Sequence, residues 1–166
     1  MGEIKFVVVG FGHIGKRHAT IINDFKGARL VAIVDSDSTV KSHALYPKGI
    51  PFFNSIQDLL SSGIPVDVIC VCTPNGVHVE HALLALENKC HVVIEKPMGL
   101  TRQSCEQVVE KSLQVARHVF VVKQNRYSPP SKWLKQIVTD GTLGDTLMVQ
   151  VNCYWNRDDR YYKKGG

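Results

Sequence analysis

The 166 residues predict an α/β fold, a doubly wound parallel sheet covered by helices on both faces, and three observations carry that expectation. Short apolar runs alternate with amphipathic segments along most of the chain, which is the pattern of a parallel sheet with crossover helices. The run "PVDVICVCT" is apolar almost throughout, as a strand buried on both faces is. A glycine-rich turn, Gly10-Phe11-Gly12-His13-Ile14-Gly15, stands where the first apolar run ends and the first amphipathic segment begins.

The elements follow in order. Residues 4–9 form the first strand and 14–24 the first helix. "GARLVAIVD" is the second strand and ends at Asp35. A helix over 38–45 and a short third strand in "IPFFN" come next. Ser55 caps a helix through Leu60, with Asp58 in its first turn. The fourth strand then leads through Thr73-Pro74-Asn75-Gly76 to a helix over 77–88. Its apolar face is Val79, Ala82, Leu83 and Leu86, an i, i+3, i+4, i+7 set. "HVVIEKP" is the fifth strand with its exit loop. Thr101 opens a helix to about Arg117, although its Thr-x-x-x-x-Glu start misses the capping-box spacing. "HVFVVKQN" is the sixth strand.

Composition then changes, which divides the chain into residues 1–123 and 124–166. "SPPSKWLKQIVTDGTLG" reads as a helix with a proline start and a glycine stop. In "DTLMVQVNCYW", Leu147, Val149, Val151, Cys153 and Trp155 alternate with Met148, Gln150, Asn152 and Tyr154, the pattern of a half-buried strand. One such strand cannot bury a face alone. Residues 124–166 therefore read as the truncated start of an α+β substrate domain, whose apolar face and open edge invite self-association. These 166 residues by themselves are not expected to turn over a substrate.

Bulk composition narrows the function classes. No apolar run approaches the ~20 residues of a membrane span, and Lys5 interrupts any signal-peptide core. The chain reads as cytoplasmic. Net charge is +5, but no basic stripe interleaves with aromatics, so no nucleic-acid partner is expected. The charge suits a solvated surface and an anionic ligand. Cys70, Cys72, Cys90, Cys105 and Cys153 are odd in number and contain no C-x-x-C pair, so they read as buried apolar residues.

The glycine spacing gains weight from its setting. A strand precedes it, a helix follows it, a second strand completes a βαβ unit, and Asp35 closes that strand twenty residues after Gly15. Gly10 permits the tight turn, Gly12 lets a pyrophosphate approach the backbone, and Gly15 lets the helix pack on the strand. Free N–H groups at the helix start then hold the phosphates. Asp35 is expected to accept the adenosine ribose hydroxyls, and no cation follows it until Lys41, so NAD is expected over NADP. His13 lies in the loop as a pyrophosphate neighbour or a filler. Lys16 and Arg17 either neutralise phosphate or form the exposed side of the helix.

Taken together, "VGFGHIGKRH", "VDSD", "CTPNGVHVEHALLAL", "VVIEKPMGLT" and "KQNRYSPP" resemble the glucose–fructose oxidoreductase / inositol dehydrogenase (Gfo/Idh/MocA) family along the whole chain. The ending resembles the branch that oxidises nucleotide-linked sugar uronates. The resemblance implies a Rossmann fold and an NAD-dependent dehydrogenase acting on a sugar or nucleotide-sugar hydroxyl, and a homo-oligomer is expected. It implies that Thr73, Pro74 and Asn75 pass the cofactor ribose and diphosphate, with His78 following them. It implies that Glu95, Lys96 and Pro97 form the motif whose lysine reaches nicotinamide ribose and substrate, with a cis Lys96–Pro97 bond. It also implies that Gln124, Asn125 and Arg126 lie near the nicotinamide carboxamide.

Lys96 has an independent argument. It stands at the carboxyl end of a parallel strand, where doubly wound sheets bind ligands, and burial would ready it to take a proton from a substrate hydroxyl. The alternative is a loop lysine paired with Glu95. "HVEH" offers His78 and His81 at i, i+3 but no third ligand, so no metal is expected. His78 then reads as a helix-start residue facing the cofactor and His81 as a packing residue. Two other functions stay open: a non-catalytic dinucleotide sensor, and a relative with non-sugar chemistry.

Overall fold

A computed structural model describes residues 2–156, 158 and 159. The chain divides into two compact units, Met1–Val122 and Lys123–Gly166.

The first unit holds six strands: β1 (Ile4–Val9), β2 (Ala28–Val34), β3 (Phe52–Phe53), β4 (Val68–Val71), β5 (His91–Ile94) and β6 (Val119–Val121). All pairings are parallel, in the order β3-β2-β1-β4-β5-β6. The order reverses direction between β1 and β4, and such a switch point opens a crevice at the carboxyl ends of the strands. Register aligns those ends, since Val9 lies opposite Val34 on one side and Val71 on the other. The ladder runs one residue further, with Gly10 N–H donating to the Val34 carbonyl at 2.8 Å and Cys72 N–H to the Val9 carbonyl at 2.8 Å.

Strand side chains alternate between faces, so β1 feeds two cores. Val8 joins Leu30, Ile33 and Cys70 under α1 (His13–Asp24), which contributes Ala19 and Ile22. Val7 and Val9 join Ile69, Val71 and Val92 on the other face. There they meet α2 (Ile56–Ser61), α3 (His78–Glu87) and α4 (Arg102–Gln114) through Leu59, Ala82, Leu86 and Val108. Fully burying one such aliphatic side chain is worth about 1.5–3 kcal/mol.

Local chemistry sets the helix starts. Ser55 Oγ accepts the Asp58 N–H at 3.1 Å. At α4 the structure corrects the sequence expectation, because a capping box is present with Ser104 in the third position. Ser104 N–H donates to Thr101 Oγ1 at 3.2 Å, and Thr101 N–H donates back to Ser104 Oγ at 3.4 Å. A serine hydroxyl serves where the usual pattern has Glu or Gln. The helix expected over 38–45 is a 3₁₀ turn, Ser38–Ser42, started by Asp37. Its residues are serine, threonine and valine with one lysine, which gain little from helix formation.

The second unit holds a 3₁₀ turn, Gln124–Tyr127, and α5 (Pro129–Thr139). Ser128 Oγ accepts the Ser131 N–H, Pro129 opens the helix, and Gly141 follows it at φ +68°. The expected strand over 147–155 does not form. Among the described residues the sheet is six-stranded and excludes this segment. Leu147, Val149 and Val151 are exposed, as are Met148 and Tyr154 on the other side of the pattern, and Leu147 reaches 94%. Alternation alone cannot make a strand, because its N–H and C=O groups need a neighbouring backbone.

Candidate functional site

The glycine loop is built by close approach. Gly10 has φ +88°, and a Cβ there would stand 2.8 Å from the Cys72 carbonyl and 2.9 Å from the Thr73 nitrogen. A Cβ on Gly15 would lie 1.8 Å from the Gly10 carbonyl oxygen. Gly12 differs: it has ordinary φ and nothing within 4 Å of its Cβ position. Gly12 caps α1 without a side chain, and no acidic residue occupies the first turn. The first N–H groups of a helix have no intrahelical acceptor. The loop therefore presents open space beside unpaired donors, which fits a dinucleotide pyrophosphate.

Phe11 enters this loop through its backbone alone. Its ring is fully buried, edge-on to Tyr46 at 5.4 Å between centroids. Its side chain is thus a core residue, so of the motif residues counted as cofactor-binding, Phe11 offers only its backbone. Its N–H donates to Asp35 Oδ2 at 2.6 Å. His13 and Ile14 are exposed beside the loop.

Asp35 ties the loop to the end of β2. Besides Phe11, the Asp37 N–H donates to its Oδ1 at 2.9 Å. Each carboxylate oxygen has a second lone pair, so these bonds leave acceptor capacity. Asp35 lines a cleft of about 330 Å³ together with Gly10, Ser36, Thr73, Pro74 and His81. Ser55 and Gln57 of the α2 start close one side of it. The cleft lies at the switch point between β1 and β4, where ligands of open α/β sheets bind. Asp37 Oδ1 accepts the Thr39 hydroxyl at 2.6 Å and the Thr39 N–H at 2.9 Å, which hold the Asp37 carboxyl below its usual range.

His81 was expected as packing and stands instead on the cleft wall. Its Nδ1 lies 3.1 Å from Thr73 Oγ1. Burial pushes its imidazole below the ordinary value of 6.5, with Glu80 opposing and His78 adding to the shift.

His78 is the opposite case. It is 1% exposed, with Nε2 2.7 Å from the Thr73 carbonyl oxygen and Nδ1 2.7 Å from the Pro97 carbonyl oxygen. Both ring nitrogens are turned to main-chain carbonyl oxygens, whereas the sequence predicts a ring facing a cofactor. It joins the Thr73-Pro74-Asn75 loop to the Glu95-Lys96-Pro97 loop. The signal in the sequence was its place at the start of α3, directly after the first of these loops.

The Lys96–Pro97 bond is cis. Lys96 is exposed, which corrects the argument that burial readies it. The lysine sits past the carboxyl end of β5, in the loop that follows. Glu95 does not pair with it: Glu95 Oε1 lies 2.9 Å from His18 Nε2 of α1, the two side chains being 15% and 16% exposed. His18 was absent from the sequence-derived candidates. Gln124, Asn125 and Arg126 are exposed on the 3₁₀ turn of the second unit.

Among the described residues, no three His, Cys, Asp or Glu side chains gather as a metal site. Cys70 and Cys90 are buried and Cys153 is exposed, so the cysteines do not all serve as core residues. Burial pushes the Cys70 thiol up to about 12 and raises Cys72 further, which leaves both as apolar neighbours of the loop rather than nucleophiles.

Comparison with known proteins agrees with this geometry. Residues 4–122 match the family model GFO_IDH_MocA, described as an oxidoreductase family with an NAD-binding Rossmann fold. D-glucoside 3-dehydrogenase of Escherichia coli (strain K12) is 30% identical over 149 residues, which are 88% of this chain and 42% of that protein. Inositol 2-dehydrogenase of Salmonella typhimurium is 27% identical over 158 residues, 91% of this chain and 46% of that protein. The crystal structure of the WlbA dehydrogenase from Bordetella pertussis in complex with NADH and UDP-GlcNAcA superposes with a TM-score of 0.91 at 32% identity. That match covers 98% of this chain and 47% of the other. The chain thus spans less than half the length of these relatives. Among the described residues, no helix is long and apolar enough to cross a membrane.

Proposed function

The chain belongs to the Gfo/Idh/MocA oxidoreductase family with an NAD-binding Rossmann fold, and from that premise we propose that it is the cofactor-binding part of an NAD-dependent dehydrogenase acting on a hydroxyl of a sugar or nucleotide-linked sugar. One observation carries the proposal. The glycine loop, Asp35 and the Thr73 loop converge on one cleft at the switch point. The likeness to part of a dehydrogenase structure holding NADH and UDP-GlcNAcA, over 98% of this chain and 47% of that one, supports a nucleotide-linked substrate.

The residues divide the work as follows. The Gly12 backbone and the α1 N–H groups would hold the pyrophosphate. Asp35 would take the adenosine ribose hydroxyls on its remaining lone pairs. Thr73, Pro74 and Asn75 would line the path of the cofactor, and Gln124, Asn125 and Arg126 would belong to its nicotinamide end. Bound nicotinamide supplies a hydride acceptor. Lys96 Nζ would take or relay the proton of the substrate hydroxyl, and it is the one catalytic group proposed within these residues. Lysine is favoured over a plain sensor role because phosphate and ribose binding alone need no such group. Residues 124–166 would begin the substrate domain, and exposed Leu147, Val149 and Val151 support self-association there.

Calorimetric titration with NAD tests the cofactor part, and absence of binding would overturn it. A screen of nucleotide sugars and free sugars with the full-length dehydrogenase, of which these residues are the proposed cofactor-binding part, read by reduced-nicotinamide absorbance, tests the substrate class. Lys96→Met is expected to abolish turnover while leaving NAD affinity within about threefold. Turnover unaffected by Lys96→Met would remove the lysine from the mechanism.

A further inference from the structure

Lys96 carries the proposed chemistry, yet its side chain makes no ion pair among the described residues. Its aim is therefore set by the main chain on either side of it. Each neighbour is gripped by a histidine, and the two histidines come from opposite faces of the sheet. Downstream, His78 of α3 meets the Pro97 carbonyl oxygen at 2.7 Å. Upstream, His18 of α1 meets Glu95 Oε1 at 2.9 Å. Helix α1 packs on one face of the sheet and α3 on the other.

His18 is well placed for this. Gly15, Ala19 and Ile22 are the buried residues of α1, an i, i+4, i+7 stripe, and His18 flanks it at i+3 from Gly15. The same close packing that requires glycine at position 15 brings the His18 ring to the carboxyl edge of the sheet. There it meets Glu95, 77 residues away in sequence. Glu95 is adjacent to Lys96, and a carboxylate so close to an ammonium is its natural ion-pair partner unless something else holds it. His18 holds it. The second Glu95 oxygen is turned toward the Lys96 backbone N–H, at 3.4 Å, instead of the ammonium.

We propose that His18 is a positioning residue for Lys96: by engaging Glu95 it closes the brace that His78 makes on the opposite face, fixing the main chain ahead of the lysine and keeping the neighbouring carboxylate off its ammonium. The role given to Lys96 rests on the dehydrogenase reading above, but the brace does not.

The deciding experiment is backbone ¹⁵N relaxation on the protein without cofactor, with the Val8 amide in β1 as the rigid reference. In the wild type the Lys96 amide is expected to have an order parameter near 0.85, and His18→Leu is expected to bring it below about 0.6. His18→Gln, whose amide N–H can still donate to Glu95, is expected to restore it. A Lys96 amide as rigid in His18→Leu as in the wild type would overturn the proposal. So would equal loosening in His18→Gln, since the ring would then matter for packing and not for its bond.

Kinetics separates positioning from general damage. On a substrate found by the screen, His18→Leu is expected to lower kcat at least about tenfold with the KM for NAD within about threefold, and His18→Gln to recover most of the loss. A proportionate loss of NAD affinity would count against a role directed at the lysine. Should wild-type protein fail to bind NAD, the dehydrogenase reading falls, while the relaxation measurement still judges the brace.

Discussion

Replacing Gly15 by alanine isolates the contact on which the loop is built. The added Cβ would stand 1.8 Å from the Gly10 carbonyl oxygen, 2.9 Å from the Gly10 carbonyl carbon and 3.2 Å from Val8 Cγ1. Two of these atoms are backbone, held in place by the bond from Gly10 N–H to the Val34 carbonyl. Ordinary contact between a methyl carbon and an oxygen needs roughly 3.3 Å, so α1 must retreat by about 1.5 Å in an interior that compresses little. A gap of 0.5–1 Å already forfeits about a quarter to a half of the dispersion attraction across it. Ala19 and Ile22 lie on the retreating face. Overpacking of this kind costs about 1–3 kcal/mol, and backbone partners put it near the upper end. Alanine returns up to about 1 kcal/mol through helix propensity. The net loss is about 2 kcal/mol, or a fall in Tm of roughly 4–8 °C for a chain of this size. Urea unfolding followed by circular dichroism reads the change directly. Gly12→Ala is the control: its Cβ meets nothing, so stability should fall by at most about 1 kcal/mol from the poorer cap while NAD binding weakens. A Gly15→Ala protein as stable as the wild type, or a Gly12→Ala protein the less stable of the two, would refute the assignment of packing to one glycine and ligand approach to the other.

Three further outcomes follow from the same geometry. NAD should bind more tightly than NADP. A 2′-phosphate about 4 Å from Asp35 costs about 4 kcal/mol per unit charge at an effective dielectric of ~20, and a third of that is about tenfold in affinity. Lys41, the first cation after Asp35, lies over the Phe52 ring at 5.0 Å. Calorimetry on Asp35→Asn should show the gap narrowing, and NADP binding equal to NAD in the wild type would end the argument. His81 should titrate below 6.5, because burial favours its neutral form. The unfolded chain then takes up the proton first as pH falls, so this contribution is complete above about 6.5 and is lost at lower pH. The stability difference between wild type and His81→Asn should shrink between pH ~7.5 and pH ~5.5, and a difference that grows would reverse the assignment. Thr101→Ala removes one half of the α4 capping box and should cost about 1 kcal/mol in chemical denaturation, whereas no change would mean that Ser104 caps the helix alone.

The sheet and the glycine loop were legible in the residues alone. Continuous apolar runs such as Val7–Val9 and Val68–Val71 permit only strands buried on both faces, and crossover helices of the observed length permit only parallel pairing. The roles of Gly10 and Gly15 were legible because a missing Cβ is a covalent fact, and the Asp35 spacing because one βαβ unit has a nearly fixed length. What the histidines do emerges only once the chain is folded. His78, His81 and His18 look alike on amphipathic helices, yet one bridges two carbonyls, one walls the cleft and one holds Glu95. Their partners lie up to 77 residues away, and local periodicity says which side of a helix is buried but not which atom waits there. The exposed Lys96 was hidden for the same reason, since burial belongs to what surrounds a residue. The segment 147–155 shows the limit most plainly. Its alternation was fully readable, but a strand is a property of two backbones, and only the fold specifies whether the second is present.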